Sequence, residues 1–412
     1  MSTNTAFSLI LLIYPLLLLT VRGGMSGILL FAFFLSLYVL NKKPKTASHW
    51  DAHAIIFSLA MSSPVIAILI TQVSRASYDF PAYDWASRFM IAIPIFLAMR
   101  QLDINALSKM QIGVSIASVA SLVIVLVMPV MADGTKTTGN FFNHIHFAHL
   151  ILALSFLSLL SINRSRVEND WVILLKIGGF IAGLYVAIQT RTRGGWPAIP
   201  LVLLLWIYGQ QFHNLRRKII YASSVLMICG VAAYSFTETI SERANLIYFD
   251  LVGYSNGNVD TSIGIRLQLW KAAIELFLQN PIVGLGVDGF ANSMQSMFEQ
   301  GRLTKAAAEM GNAEVHNEIL AKCVSGGMGG LLSILAVYFV PAAIFWNTIN
   351  SKVAMKKVAA VMGLGLVTGF FVFGLTVEIF NLKMTASFYA FSIAVLAGAC
   401  LNSDTSSEST RA

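Results

Sequence analysis

Apolar residues in this chain run in long unbroken blocks; they rarely alternate with polar ones at the spacing of a half-buried strand or a surface helix. Twelve blocks stand out, at 6–21, 25–41, 53–72, 85–100, 110–131, 144–162, 171–189, 194–209, 218–237, 325–347, 357–379 and 384–401. About 20 apolar residues cross a hydrocarbon core as a helix, and a helix satisfies its own backbone polar groups where no water reaches. The pattern therefore predicts an all-α polytopic membrane protein of about twelve transmembrane helices. The first block lacks a basic leader and a small-residue cleavage site, so it reads as an anchor and not as a signal peptide.

The blocks divide the chain into four parts: 1–237 with helices one to nine, an outer loop subdomain at 238–324, 325–401 with helices ten to twelve, and a disordered, polar, cytoplasmic tail at 402–412. Within the loop, TSIGIRLQLWKAAIELFLQN carries Ile265, Leu269, Trp270, Ala273, Leu276 and Phe277 at helical spacing, which predicts an amphipathic helix. Asn280-Pro281 ends it.

Composition agrees with the pattern: 56% of residues are hydrophobic and 12% charged, with a mean hydropathy of +0.71. The formal net charge of +8 is mainly a topology signal. With both termini inside, cytoplasmic segments hold fourteen Lys and Arg, among them Lys42, Arg100, Arg216 and Lys356, whereas the opposite short loops hold six. The large loop then faces outward, and no nucleic-acid partner is implied. Cys229, Cys323 and Cys400 offer neither a disulfide framework nor a metal spacing.

Charges that the inside-positive trend does not explain are the informative ones. Arg191 and Arg193, in QTRTRGGWPAIP, sit at an outer turn, and Arg88, in DWASRFMIAIP, lies about one turn inside the fourth block. An arginine fork matches phosphate oxygens, so these suggest an anion held at the outer surface, although Arg88 also suits snorkelling to the interface. PIVGLGVDGF has the G-x-G-x-x-G spacing at Gly284, Gly286 and Gly289, but it follows a helix in an outer loop; a tight turn is expected there and no nucleotide site. In NHIHFAHL, His146 and His149 are spaced to share a helix face. No carboxylate or cysteine nearby completes a metal set, so no metal and no cofactor are expected. AEVHNEILAKCVSGGMGGLL places His316 between Glu314 and Glu318 at the end of the outer loop.

The order of these features, an outer TRGGW at 192–196, then RLQLWKAAIELFLQNPIVGLGVDGF, then HNEILAKCVSGGMGGLL, resembles the O-antigen ligase and Wzy-type polymerase superfamily. The resemblance covers roughly 190–335 by motif and the remainder by span pattern. It implies a polytopic glycosyltransferase of the GT-C-like kind with a large periplasmic loop. It also implies metal-independent, inverting transfer of an undecaprenyl-pyrophosphate-linked glycan to a sugar hydroxyl of lipid A-core, at the periplasmic face of the inner membrane. By position, His316 and Arg193 or Arg191 correspond to the catalytic residues, and Arg266 contacts pyrophosphate, with Arg88 as a further contact. The family usually shows Ser-Arg-Gly at the first arginine; here Thr-Arg-Thr-Arg-Gly leaves Arg191 and Arg193 both eligible. O-antigen ligase is the leading reading. Alternatives are a polysaccharide polymerase of the same superfamily, a protein O-oligosaccharyltransferase, and a lipid-linked glycan flippase or transporter, the last expected to carry charges at the bilayer midplane.

Overall fold

The structure is a computed structural model and describes residues 2–42, 50–127, 143–163, 168–190, 192–210, 250, 252–253 and 257–403. The described residues form helices and connecting turns, with no strand among them. Eight helices among the described residues are long and apolar enough to cross a membrane, and the chain is a multi-pass membrane protein. In chain order the helices are α1 (Thr3–Thr20), α2 (Gly24–Lys42), α3 (Ala52–Arg75), α4 (Tyr83–Met99), α5 (Leu107–Val127), α6 (His144–Leu160), α7 (Asp170–Gln189) and α8 (Ala198–Gly209). There follow α9 (Ser262–Gln279), α10 (Gly289–Glu299), α11 (Lys305–Gly311), α12 (Glu318–Thr348), α13 (Ala354–Gly374) and α14 (Lys383–Cys400).

Eleven of the twelve expected blocks coincide with one of these helices; the ninth, 218–237, lies outside the described residues. The block at 194–209 forms a shorter helix than expected, 12 residues in α8. The block at 325–347 is part of a longer one, 31 residues in α12.

α6, α13 and α14 form the centre, each buried along nearly its whole length. A helix that is apolar on every side belongs inside, and small residues let neighbouring backbones approach. AFSIAVLAGAC of α14 packs along α4, while α13 runs between α6 and α12. The remaining spans surround this centre, with α3 against α12, α1 against α5 and α5 against α7.

Outside the bundle, α9, α10 and α11 close a small second core. Leu269, Leu276, Phe290, Met294, Ala307 and Val315 meet in it, so the predicted amphipathic face of α9 is the buried one. Thr261 caps α9 by accepting from the Gly264 amide.

The glycine turn is what joins this subdomain to the bundle. α12 is kinked at Gly327, whose φ of +58° breaks the helical hydrogen-bond ladder. The freed groups pair with residues 281–286: Leu285 N–H donates to Val324 O at 2.7 Å, Gly286 N–H to Ser325 O at 3.0 Å, and Met328 N–H to Pro281 O at 2.7 Å. Gly284 has a φ of +69°, and its Cα lies against the Ser325–Gly327 backbone where a Cβ has no room. Thr71 and Arg75 of α3 hold the same turn, the Thr71 hydroxyl donating to Val283 O at 2.9 Å and Arg75 Nε to Gly284 O at 2.8 Å. The glycines of PIVGLGVDGF thus serve a tight turn.

Candidate active site at the base of the outer subdomain

His316 is one of two described non-glycine residues with positive φ, at +58°. Such a conformation persists where its surroundings over-determine it, and it is found disproportionately at functional sites. Here four consecutive residues are pinned. Val315 N–H donates to Glu378 Oε1 at 2.6 Å, and Trp270 Nε1 donates to the His316 carbonyl at 3.3 Å. Asn317 caps α12 by accepting from Leu320 N–H at 3.1 Å, and its Nδ2 donates to Leu375 O at 3.4 Å. Glu318, fully buried, accepts from Phe380 N–H at 2.9 Å and pairs with Lys322 at 3.1 Å.

The imidazole is held as well. His316 Nδ1 lies 2.6 Å from Glu314 Oε1, with both side chains about four-fifths buried. Burial alone pushes the Glu314 carboxyl up, but the hydrogen bond and charge of His316, with the charge of His146 behind, hold it below the usual carboxylate range. An ionised Glu314 accepts the hydrogen bond of Nδ1–H, a tautomer that leaves the lone pair on Nε2. Of the two carboxylates that flank His316 in sequence, Glu314 is the one its ring contacts. Asn317 and Glu318 turn away to cap and anchor α12.

Glu378 completes the support, accepting from Val315 N–H and, at 2.5 Å, from Asn381 Nδ2. Burial raises its carboxyl above the usual range, against the lowering charge of Lys322. Lys322 is itself held by Asn381 Oδ1 at 3.2 Å and lies 4.2 Å over the Trp85 ring.

The expected arginines fall into two groups. Arg266 shares a face of α9 with Trp270, one turn on, and so stands on the side of the helix that meets His316. Its Nε is buried with no hydrogen-bond partner among the described residues, and Nη1 reaches only the Ser262 hydroxyl at 3.4 Å. Arg193 is half-buried in the α7–α8 turn. The glycines after it pack on His149, Phe373 and Thr376, so this turn rests on the same 373–378 segment that receives Val315 and Asn317. Arg191 lies outside the described residues. Arg88 donates Nε to Asp84 O at 3.0 Å on its own helix and takes no part in the His316 turn.

His146 and His149 are buried on α6, their ring nitrogens without hydrogen-bond partners among the described residues. His149 stacks on Phe373 at 4.5 Å. No group of three His, Cys, Asp or Glu able to hold a metal occurs among the described residues.

Beside the Glu314–His316 pair opens a cleft of about 600 Å³, with Arg75, Asp79, Asp288, Glu314, Lys322 and Glu378 among its walls. Of the pair, Glu314 lines it and His316 does not, and none of Arg88, Arg193 and Arg266 does. Sequence reasoning passed over Arg75, Lys322 and Glu378. Arg75 did carry a signal, being a cation at an outer helix end, the same ground on which Arg191 and Arg193 were singled out.

A family model described as O-antigen ligase matches residues 178–335. That stretch contains Arg193, Arg266, His316 and the kink, but not Arg75 or Glu378. An uncharacterized protein of Haemophilus influenzae is 24% identical over 373 residues, 88% of this chain and 90% of that protein. The O-antigen ligase of Escherichia coli K12 is 29% identical over 160 residues, 38% of each chain. The stretch that carries the motif order and the pinned histidine is thus the part of this chain that is similar to the O-antigen ligase family.

Proposed function

We propose that this protein is an O-antigen ligase that moves a glycan from an undecaprenyl-pyrophosphate carrier to a sugar hydroxyl of lipid A-core, at the periplasmic face of the inner membrane. The observation that carries the reading is the Glu314–His316 pair, set in a left-handed turn and locked from four sides. His316 Nε2 accepts the proton of the attacking hydroxyl as its oxygen bonds to the anomeric carbon. The bond from that carbon to the pyrophosphate oxygen breaks on the opposite side, inverting the centre. Glu314 keeps the imidazole in its useful tautomer and stabilises the imidazolium as it forms. The departing pyrophosphate gathers negative charge, which Arg266, whose Nε has no hydrogen-bond partner among the described residues, and Arg193 neutralise in this reading.

Polymerisation uses the same steps with a second lipid-linked repeat as acceptor. The ligase reading is preferred because the named relative from E. coli is a ligase. A deletion strain complemented with wild type or His316→Ala tests the assignment. Loss of a ligase leaves long glycan on the carrier, loss of a polymerase leaves single repeats on lipid A-core, and loss of a flippase leaves repeats facing the cytoplasm. Single repeats on lipid A-core in the deletion strain would replace the ligase reading with the polymerase one.

A further inference from the structure

α9 has three sides. Successive helical residues turn by about 100°, which sends Ile265, Leu269, Ala272 and Leu276 into the second core. Gln268, Glu275 and Gln279 fall on a polar side, where Gln268 donates to Val259 O at 3.0 Å and Glu275 pairs with Arg302. The third side is apolar again. Leu267, Ile274 and Leu278 lie along it, with the exposed Lys271 among them, and Leu278 keeps 67% of its surface exposed. Pro281 and Ile282 extend the stripe past the helix end, Ile282 at 80% exposure. One apolar side is enough to hold a helix on a core; a second one, contiguous and uncovered, marks a surface that meets something other than water.

The position of the stripe says what that is. Its lower end sits at the edge of the bilayer, because Val283, next to Ile282, is held by Thr71, inside the apolar block of α3 that runs to 72. On the other side, Pro281 O accepts from Met328 N–H, and the Ile282 backbone abuts Gly327, both within the apolar block of α12 that begins at 325. Met328 and Leu332, one turn apart on α12, are exposed, on a transmembrane segment where exposure means contact with lipid. The lipid-facing surface of α12 therefore passes through Pro281 and Ile282 onto the third side of α9 without a polar break.

We propose that the third side of α9 rests in the outer leaflet, with Leu267, Ile274, Leu278 and Ile282 sunk at the boundary between headgroups and acyl chains and Lys271 at the level of the phosphates. An apolar stripe flanked by a cation is the make-up of a helix that lies in the membrane surface, and a lysine at that depth is drawn to lipid phosphate. Lipid is the partner because it already covers the surface of which the stripe is the continuation. The contact has a consequence for the His316 turn. Trp270, on the edge of α9 next to the stripe, donates to the His316 carbonyl, so the depth at which α9 floats sets the height of His316 above the bilayer. The proposal holds whichever glycan is transferred.

The test uses the full chain in nanodiscs, with its native cysteines replaced by Ala and an environment-sensitive fluorophore on Ile274→Cys, on Leu278→Cys or, on the polar side, on Gln279→Cys. All three positions are exposed, so the label itself should leave the thermal midpoint where it was. At 274 and 278 the emission should shift to the blue and be lost to a phosphatidylcholine carrying a nitroxide at the top of its acyl chain, while iodide in the buffer has little effect; at 279 the two quenchers should exchange roles. Quenching by iodide at 274 and 278 would put this side in water and overturn the proposal. Shielding from both quenchers would give the side to protein, to a second copy if the particle mass doubles, and would overturn it as well. Should the cysteine-free chain fail to fold, wild type photolabelled by a diazirine phosphatidylcholine and mapped by mass spectrometry answers the same question. Labels between 267 and 282 are expected, and their absence there while the exposed Leu59 and Ile66 of α3 are labelled overturns the proposal.

Discussion

Glu314 gives His316 both an acceptor for Nδ1–H and a negative charge, and its two substitutions separate these contributions. Glu314→Gln keeps an acceptor and loses the charge, whereas Glu314→Ala loses both. The expected order of kcat is wild type, then Gln, then Ala, with Ala lowered by about 10² to 10⁴ and the donor KM little changed; steady-state kinetics on purified protein checks this. The sign with pH follows from the lowered carboxyl. Its contribution to stability is present above the ordinary value of 4.5 and is lost as pH falls through the lower folded value. The gap in thermal midpoint between wild type and Glu314→Gln should therefore survive at pH 4.5 and close only below it. Glu378 has the opposite sign. Its contribution is complete below pH 4.5 and is lost as pH rises through the raised value, so wild type should lose ground to Glu378→Gln over that window. At this scale His316 and Arg266 were legible, because each stands in a short motif. Glu378 and Lys322 were not, since their meaning depends on the pairing of 315–322 with 378–381, about sixty residues away.

Among the elements, α12 shows what hydropathy reads and what it misses. The apolar block from 325 marks the bilayer crossing, but the helix begins at Glu318, where two buried charges at i, i+4 hide each other by pairing. A sliding measure of apolarity sees charged residues and stops. Nor does it see the kink, which depends on the approach of 281–286. Gly327→Ala should be costly, because its φ is +58° and a Cβ would come within 2.6 Å of the Ile282 backbone. A loss of about 1–3 kcal/mol is expected. Thermal unfolding in detergent measures it, with Gly329→Ala as the neutral control. Equal behaviour of the two variants would mean that the kink carries no stability.

For the whole molecule, the recurrence of apolar blocks foretold a polytopic helical bundle, but not its centre. α13 and α14 are no more apolar in sequence than several of the spans around them, yet they are buried along nearly their whole length. Orientation is a property at this scale too. Fourteen inside cations against six outside predict that a fluorescent protein fused after Ala412 glows and that alkaline phosphatase at the same point stays inactive. The reverse pattern would put the His316 turn in the cytoplasm and remove the periplasmic reading. Transfer is further expected to withstand EDTA, because guanidinium groups take up the charge of the leaving group; restoration by Mg²⁺ after a chelated loss would contradict that.

The bonding of the 281–286 turn to two separate transmembrane helices bears on how this protein can be recombined with its relatives. Its amides pair with the carbonyls of α12, and Thr71 and Arg75 of α3 hold its carbonyls. The outer subdomain is therefore not a cassette that a graft can carry by itself. A chimera that exchanges only 257–311 would bring a foreign turn to a native α3, whereas one that also exchanges residues 71 and 75 with the 324–330 segment would transplant the joint whole. Compatibility between relatives is thus written in part some two hundred residues upstream of the turn itself.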